Sequence, residues 1–375
     1  MLNGQTSQLY IGMMSGTSLD GVDAVLVDLS ALAQGQRNLR VLAKHYLGFS
    51  AELRQLALTL QAPGENELER CARLNNHLAQ VYANCAIALL QKSAIAAHAV
   101  RAIAVHGQTL RHRPELGYTW QANNPALLAE LTGINVIADF RSRDVAAGGQ
   151  GAPLVPAFHR AIFSSAERNR VVVNIGGISN ISILGSQGET TGFDTGPGNV
   201  LLDGWIQSQQ GLAYDAAGAW AAQGQVQTNL LQSLLSAAFF TMPPPKSTGR
   251  DLFHMQWLYQ HLQACPGLAA VDVQATLAEF TAISIADAIK LYSDGVREVY
   301  VCGGGAYNLD LLARLGQHLP RTKIASSAEL GVLPELVEAL AFAWLGQQFV
   351  LGLPGNLPAV TGAHSARILG ACYPA

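Results

Sequence analysis

The sequence predicts an α/β protein of two domains, and three stretches carry that prediction. Two apolar runs, 9–14 and 24–29, flank the polar turn Ser15-Gly16-Thr17-Ser18-Leu19-Asp20-Gly21-Val22-Asp23. Short β-branched runs on either side of a Gly-containing polar turn read as a β-hairpin. The same object returns over 171–184, with Gly176 and Gly177 in its turn, and a third strand, 299–302, runs into Gly303-Gly304-Gly305. Repetition of this kind implies duplicated architecture, and 375 residues suffice for two domains with a core each.

The first hairpin offers unusual chemistry for a turn. Gly16 and Gly21 can take φ > 0, so that successive backbone N–H groups point into one concavity that holds an anion. Thr17 and Ser18 add hydroxyl donors, and Asp20 and Asp23 place carboxylates beside them. A phosphate beside carboxylates calls for a divalent cation between them, and Mg²⁺ takes carboxylate, water and phosphate oxygens. The bland alternative is a tight hairpin whose Asp and Ser side chains bond their own turn. Two such hairpins, one in each half, with a later glycine triplet for the nucleoside, resemble the plan of the sugar kinase, actin and heat-shock ATPase superfamily. That plan implies two actin-like (ribonuclease H-like) domains flanking an ATP/sugar cleft.

Composition narrows the class. Apolar residues make up 49% and charged residues 13%, which describes a core-rich globular chain. A net charge of −3 without a basic cluster argues against nucleic acid as a partner. No basic segment followed by an apolar one opens the chain, so no secretory signal is read. The most apolar long window, 336–353, contains Glu338, Gln347 and Gln348 and reads as a buried helix, not a membrane span. Five scattered cysteines without C-x-x-C or His/Cys ligand spacing fit a reducing cytoplasm and argue against structural zinc.

The remaining elements follow in order. Helical periodicity spans 51–59 and 65–91, the second with the stripe Leu68, Cys71, Leu74, Leu78, Val81, Cys85, Ala88 and Leu89. A buried-type strand, 102–105, delivers His106-Gly107-Gln108-Thr109 at its C-terminal end, where ligand residues of open α/β sheets cluster. Gln108 is the residue expected to meet a sugar hydroxyl; His106 reads either as a ligand or as a hydrogen-bonded structural residue. Another strand, 135–141, ends in Asp139-Phe140-Arg141. Arg141 reads either as a bidentate fork for carboxylate or phosphate or as a surface salt bridge. Glycines 148, 149 and 151 form a hinge before a helix over 152–163, so the domains are expected at 1–145 with 352–375, and at 146–351.

The most specific chemical stretch is Phe193-Asp194-Thr195-Gly196-Pro197-Gly198-Asn199. Two glycines and a proline hold a rigid turn that presents Asp194 ahead of a helix starting near Asn199, an arrangement suited to a poised base. Asp194 capping the turn is the alternative. The segment 243–251 contains Lys-Ser-Thr without the glycine lead of a P-loop, and reads as an extended loop into a helix capped by Ser247 or Thr248, with Lys246 and Arg250 as candidate contacts. A helix over 277–293 feeds the strand before Gly303–Gly305, whose missing side chains permit close approach to an adenine or an α-phosphate. A helix over 333–350 carries Glu338 in its first turns, and 355–363 returns to the first domain.

Together, the motifs around Ser15–Asp23, His106–Thr109, Asp139–Arg141, Asn174–Asn180, Phe193–Asn199, Pro244–Arg250 and Leu357–Ala363 resemble the 1,6-anhydro-N-acetylmuramic acid kinase family over nearly the whole chain. The resemblance implies a cytoplasmic enzyme of bacterial cell-wall recycling. With ATP and Mg²⁺ it phosphorylates O6 of the anhydro sugar while water opens the 1,6-anhydro bridge, giving N-acetylmuramic acid 6-phosphate. It implies that Gly16, Thr17, Ser18, Leu19, Asp20, Gly21, Val22 and Asp23 hold the ATP phosphates, with Asp20 toward the metal and Gly176, Gly177, Gly303, Gly304 and Gly305 as further nucleotide contacts. Asp194 matches the general base and Glu338 the carboxylate that helps hold the sugar; Gln108 and Arg141, read from their own chemistry, are further expected sugar contacts. A homodimer is expected on the same ground. Two rivals remain: an ordinary sugar-hydroxyl kinase, in which Asp194 would deprotonate a hydroxyl, and an actin-like filament or chaperone module.

Overall fold

In the computed structural model, which describes residues 7–16, 19–249 and 252–375, the chain packs as two compact units. Unit 1 comprises 1–162 with 336–375, and unit 2 comprises 163–335.

The strands in chain order are β1 (Leu9–Met14), β2 (Gly21–Asp28), β3 (Arg40–Gly48), β4 (Ala102–Val105), β5 (Gln108–Arg113), β6 (Tyr118–Ala122), β7 (Val136–Ala138), β8 (Arg170–Ile175), β9 (Ile178–Leu184), β10 (Thr190–Pro197), β11 (Glu298–Cys302), β12 (Lys323–Ser326) and β13 (Ala371–Tyr373). In unit 1 the sheet order is β13-β7-β4-β1-β2-β3, and in unit 2 it is β10-β9-β8-β11-β12. Each unit therefore repeats one scheme. An antiparallel meander of three strands (β1-β2-β3, β8-β9-β10) is extended from its first strand by two parallel strands (β4 and β7, β11 and β12). This is the duplicated α/β architecture expected from the two hairpins.

In unit 1 one face of the sheet is covered by the helix Glu67–Ser93. Its residues Cys71, Leu74, Leu78, Cys85 and Leu89 are buried with Ile11, Val22 and Ile103 of the sheet. Leu68, in the first turn of the helix, departs from the predicted stripe and is 80% exposed. The helix Val337–Leu351 packs directly on β1. Contact is close because Gly12 lacks a side chain: a Cβ there would stand 1.9 Å from the Ala339 carbonyl oxygen. In unit 2 the helix Ala270–Tyr292 crosses both apolar clusters, one under the sheet and one among the helices around Trp205, Phe253 and Phe280. It begins seven residues ahead of the expected start at 277.

Several local expectations change. The glycine segment 148–151, read as a hinge, is tied within unit 1: Gln150 N–H donates to the Thr361 carbonyl (2.7 Å), His364 N–H to that of Ala147 (2.8 Å) and Gly151 N–H to Asp144 Oδ2 (2.8 Å). The chain passes into unit 2 after the helix Val155–Phe163 begins, and the helix Val337–Leu351 belongs to unit 1 because its apolar residues cover β1 and β4. The stretch read as a rigid turn around Asp194 is the end of β10, bulged between Asp194 and Gly196. The helix after the proline loop, Met255–Gln263, is capped by the His254 side chain accepting from Trp257 N–H (3.1 Å), not by Ser247 or Thr248. No helix among the described residues is long and apolar enough to cross a membrane.

Candidate active site

In unit 1 the candidate residues gather at the C-terminal end of β1. Thr17, Ser18 and, in unit 2, Arg250 lie outside the described residues. Around Thr17 and Ser18 the turn is braced on three sides. Ser15 Oγ bonds Tyr82 OH (2.8 Å) and donates to the Gly107 carbonyl (3.0 Å), Leu19 N–H donates to the Gly16 carbonyl (3.3 Å), and Gln108 Nε2 donates to that same carbonyl (3.0 Å). Gln108, expected to meet a sugar hydroxyl, is thus fully buried and holds the hairpin turn with its amide N–H, while its Oε1 is buried without a hydrogen-bond partner. Leu19, at φ 57°, takes the left-handed conformation within this turn. Gly21 serves space: a Cβ there would stand 2.5 Å from the Leu47 carbonyl oxygen.

Val22 is buried in β2, Asp23 is half-buried opposite Met14, and Asp20 is exposed just ahead of the strand. The Asp20 carbonyl is occupied by Phe49 N–H (2.9 Å) and Tyr46 OH (3.0 Å), which fixes the backbone beneath its carboxylate. Among the described residues no group of three His, Cys, Asp or Glu side chains could enclose a metal ion. Mg²⁺ needs no such cage where phosphates are present, since it takes one or two carboxylates and keeps waters; an exposed carboxylate on a fixed backbone fits that donor set.

Beside this turn, Arg141 donates from Nε to His106 Nε2 (2.9 Å) and from a terminal nitrogen to the Gly151 carbonyl (2.7 Å). His106 is buried, and burial with the neighbouring Arg141 charge holds its pKa well below the usual histidine value. It stays neutral, with Nε2 as acceptor. Its ring lies 4.8 Å from that of Phe342, on the helix whose first turn carries the half-buried Glu338.

In unit 2 the predicted glycines converge. Asn199 N–H donates to the Gly176 carbonyl (2.8 Å), and the N–H groups of Gly198 and Val200 donate to that of Gly177 (2.9 and 3.1 Å). Because a trans peptide places N–H opposite C=O, the Gly177 N–H faces away from Asn199. Gly303, at φ 76°, comes so near that a Cβ would stand 2.4 Å from Asn174 Oδ1, and one at Gly305 would stand 2.3 Å from Ile175 Cγ2. Asn199 Nδ2 donates to the Ile175 carbonyl (3.3 Å) and faces Gly304. Gly303 and Gly305 thus have no room for a side chain, because Asn174 and Ile175 fill that space and let the three glycine-bearing segments pack closely.

Asp194 stands on β10, two residues before Gly196. Its Oδ2 accepts Thr248 N–H (2.9 Å), and its own N–H donates to the Lys246 carbonyl (3.2 Å). The segment 246–248 therefore clamps Asp194 at backbone and carboxylate together. The Lys246 ammonium donates to the Phe239 carbonyl (3.1 Å) and lies 4.6 Å over the Phe239 ring, and burial lowers its pKa. Tyr82, which holds the first turn, was missed by sequence reasoning, and Thr248, read there as a helix cap, instead holds Asp194. Tyr82 sits on a helix that reads only as core.

Two units of one sheet scheme, each with a glycine-bearing hairpin, form the duplicated α/β frame that carries these candidate residues. A solved structure of similar fold is component A of (R)-2-hydroxyglutaryl-CoA dehydratase from Acidaminococcus fermentans, at TM-score 0.51 and 12% identity over 90% of this chain and 96% of that one. The model of the anhydro-N-acetylmuramic acid kinase family matches residues 8–375. Proteins named anhydro-N-acetylmuramic acid kinase from Paraburkholderia xenovorans and Pseudomonas putida are 54% and 51% identical, covering 98% of this chain and 98% and 99% of their own. The chain belongs to the anhydro-N-acetylmuramic acid kinase family, and it is a kinase of sugar metabolism, with a role in murein recycling that implies use of ATP.

Proposed function

We propose that this chain transfers the γ-phosphoryl group of ATP to O6 of 1,6-anhydro-N-acetylmuramic acid while water opens the anhydro bridge, giving N-acetylmuramic acid 6-phosphate. The observation that carries this reading is Asp194: a carboxylate clamped by Thr248 N–H, on the strand that runs directly into the Gly198–Asn199 loop packed on Gly176 and Gly177.

O6 of the anhydro sugar is an ether oxygen bonded to C1, with no proton to lose. When O6 bonds phosphorus, the C1–O6 bond breaks with its electron pair on O6, and a water oxygen bonds C1. That water gives up one proton, and Asp194 takes it, as the base does in inverting glycoside hydrolysis. The Thr248 N–H holds the carboxylate in place before the reaction, so orientation is prepaid in folding. Glu338 holds the sugar from the first turn of the helix Val337–Leu351, and Arg141 offers its guanidinium to the sugar's carboxylate. The Gly16–Asp23 turn, Gly176 and Gly177 would hold the phosphates, and Gly303–Gly305 would approach the nucleoside. Asp20 would hold Mg²⁺ through water, and the ion would supply charge neutralisation at the phosphates. The scattered cysteines support a cytoplasmic setting, and the family resemblance supports a homodimer.

The test compares acceptors. With ATP and the anhydro sugar, the product should exceed the substrate in mass by one phosphoryl group and one water. Preference for N-acetylmuramic acid would favour the ordinary hydroxyl kinase.

A further inference from the structure

The Leu357–Ala363 motif and the Gly148–Gly151 segment meet at one side chain that the reaction does not use. Asp144 is fully buried in the helix Ser142–Ala146. Its Oδ1 accepts from Asn356 Nδ2 (2.6 Å) and Thr361 Oγ1 (2.8 Å), and its Oδ2 accepts from Gly151 N–H (2.8 Å). Gly149 passes so close that a Cβ would stand 2.2 Å from Oδ2. Three donors converging on a buried carboxylate give it the partners that burial demands. Gly151 then reaches the site, because its carbonyl, on the following peptide group, accepts from Arg141 (2.7 Å), whose Nε bonds His106 (2.9 Å).

We propose that Asp144 is a positioning residue for the sugar: by fixing Gly151 through its Oδ2, it sets the Arg141 guanidinium against His106 in the orientation that receives the substrate's carboxylate. The proposal rests on the reading of Arg141 as a sugar contact. The Leu357–Ala363 motif thereby gains a role, since Thr361 orients Asp144.

The test is Asp144→Asn, a change of one atom. If Oδ1 keeps Asn356 and Thr361, the new NH₂ group opposes Gly151 N–H, donor against donor, and releases that peptide. KM for the anhydro sugar should rise roughly 10- to 100-fold, the scale of a small misplacement in a site, with KM for ATP unchanged. Arg141→Ala should raise the same constant, and Asp144→Asn should add little to it in the double variant. Thr361→Val, milder for folding, should move the sugar KM in the same direction by less. If Arg141→Ala leaves the sugar KM unchanged, the reading of Arg141 fails. If Arg141→Ala raises it but Asp144→Asn or Thr361→Val lowers only the melting temperature, or the double variant shows independent effects, Asp144 is a structural residue and the proposal fails.

Discussion

Gly12 and Ala339 are pressed together so closely that a Cβ on Gly12 would stand 1.9 Å from the Ala339 carbonyl oxygen. The contact seats the helix Val337–Leu351 on β1, and so fixes Glu338, one residue earlier, relative to the turn at the end of the same strand. Gly12→Ala must push the helix away. Overpacking of this kind costs about 1–3 kcal/mol, which chemical denaturation would register as a lower midpoint. The sugar KM should rise with it; an unchanged midpoint would show that the helix yields without cost.

Asp20 should bear on the metal. Asp20→Asn keeps the backbone bonds from Phe49 and Tyr46, which use its carbonyl. Activity should fall and the Mg²⁺ concentration needed for half-maximal rate should rise. An unaltered Mg²⁺ profile would mark Asp20 as a turn residue.

Stability should decline on the acid side through buried histidines. Burial pushes His159 from the usual 6.5 down to about 3, and His112 to about 4 with the Arg141 charge adding to burial. Between 6.5 and those values the unfolded chain binds protons that the folded chain refuses. This contribution is complete above pH 6.5 and is lost as pH falls toward 3. Melting temperature should therefore drop from neutral pH to pH 5, and His159→Gln should show a shallower drop. Parallel curves for the two proteins would contradict the assignment.

What the sequence made legible divides along the range of the interactions. Hairpins β1–β2 and β8–β9 announce themselves because apolar runs and turn residues are neighbours in the chain. β3, with an alternating exposed pattern, and the β5–β6 hairpin carry weaker signals and went unread. Asp194 reads as a turn because glycine and proline argue against a strand; the bulge after Asp194 is what lets β10 continue through them. The supports of the site were invisible for a different reason. Tyr82 bonds Ser15, Thr248 bonds Asp194 and Asp144 bonds Thr361 across 67, 54 and 217 residues of chain. No local pattern records such pairs.

The central claim is that one carboxylate serves ring opening and phosphoryl transfer as a single event, and Asp194→Asn addresses it most directly. The substitution keeps the side-chain shape and removes the proton acceptor. In a single turnover with ATP and the anhydro sugar, ADP formation and the bridge-opened phosphorylated product should both be followed by mass in the same sample. Loss of a general base costs about 10²–10⁴-fold, so both should fall together by that factor while each substrate still binds. Near-normal phosphorylation, bridge opening without ADP formation, or a defect confined to sugar binding would contradict the account.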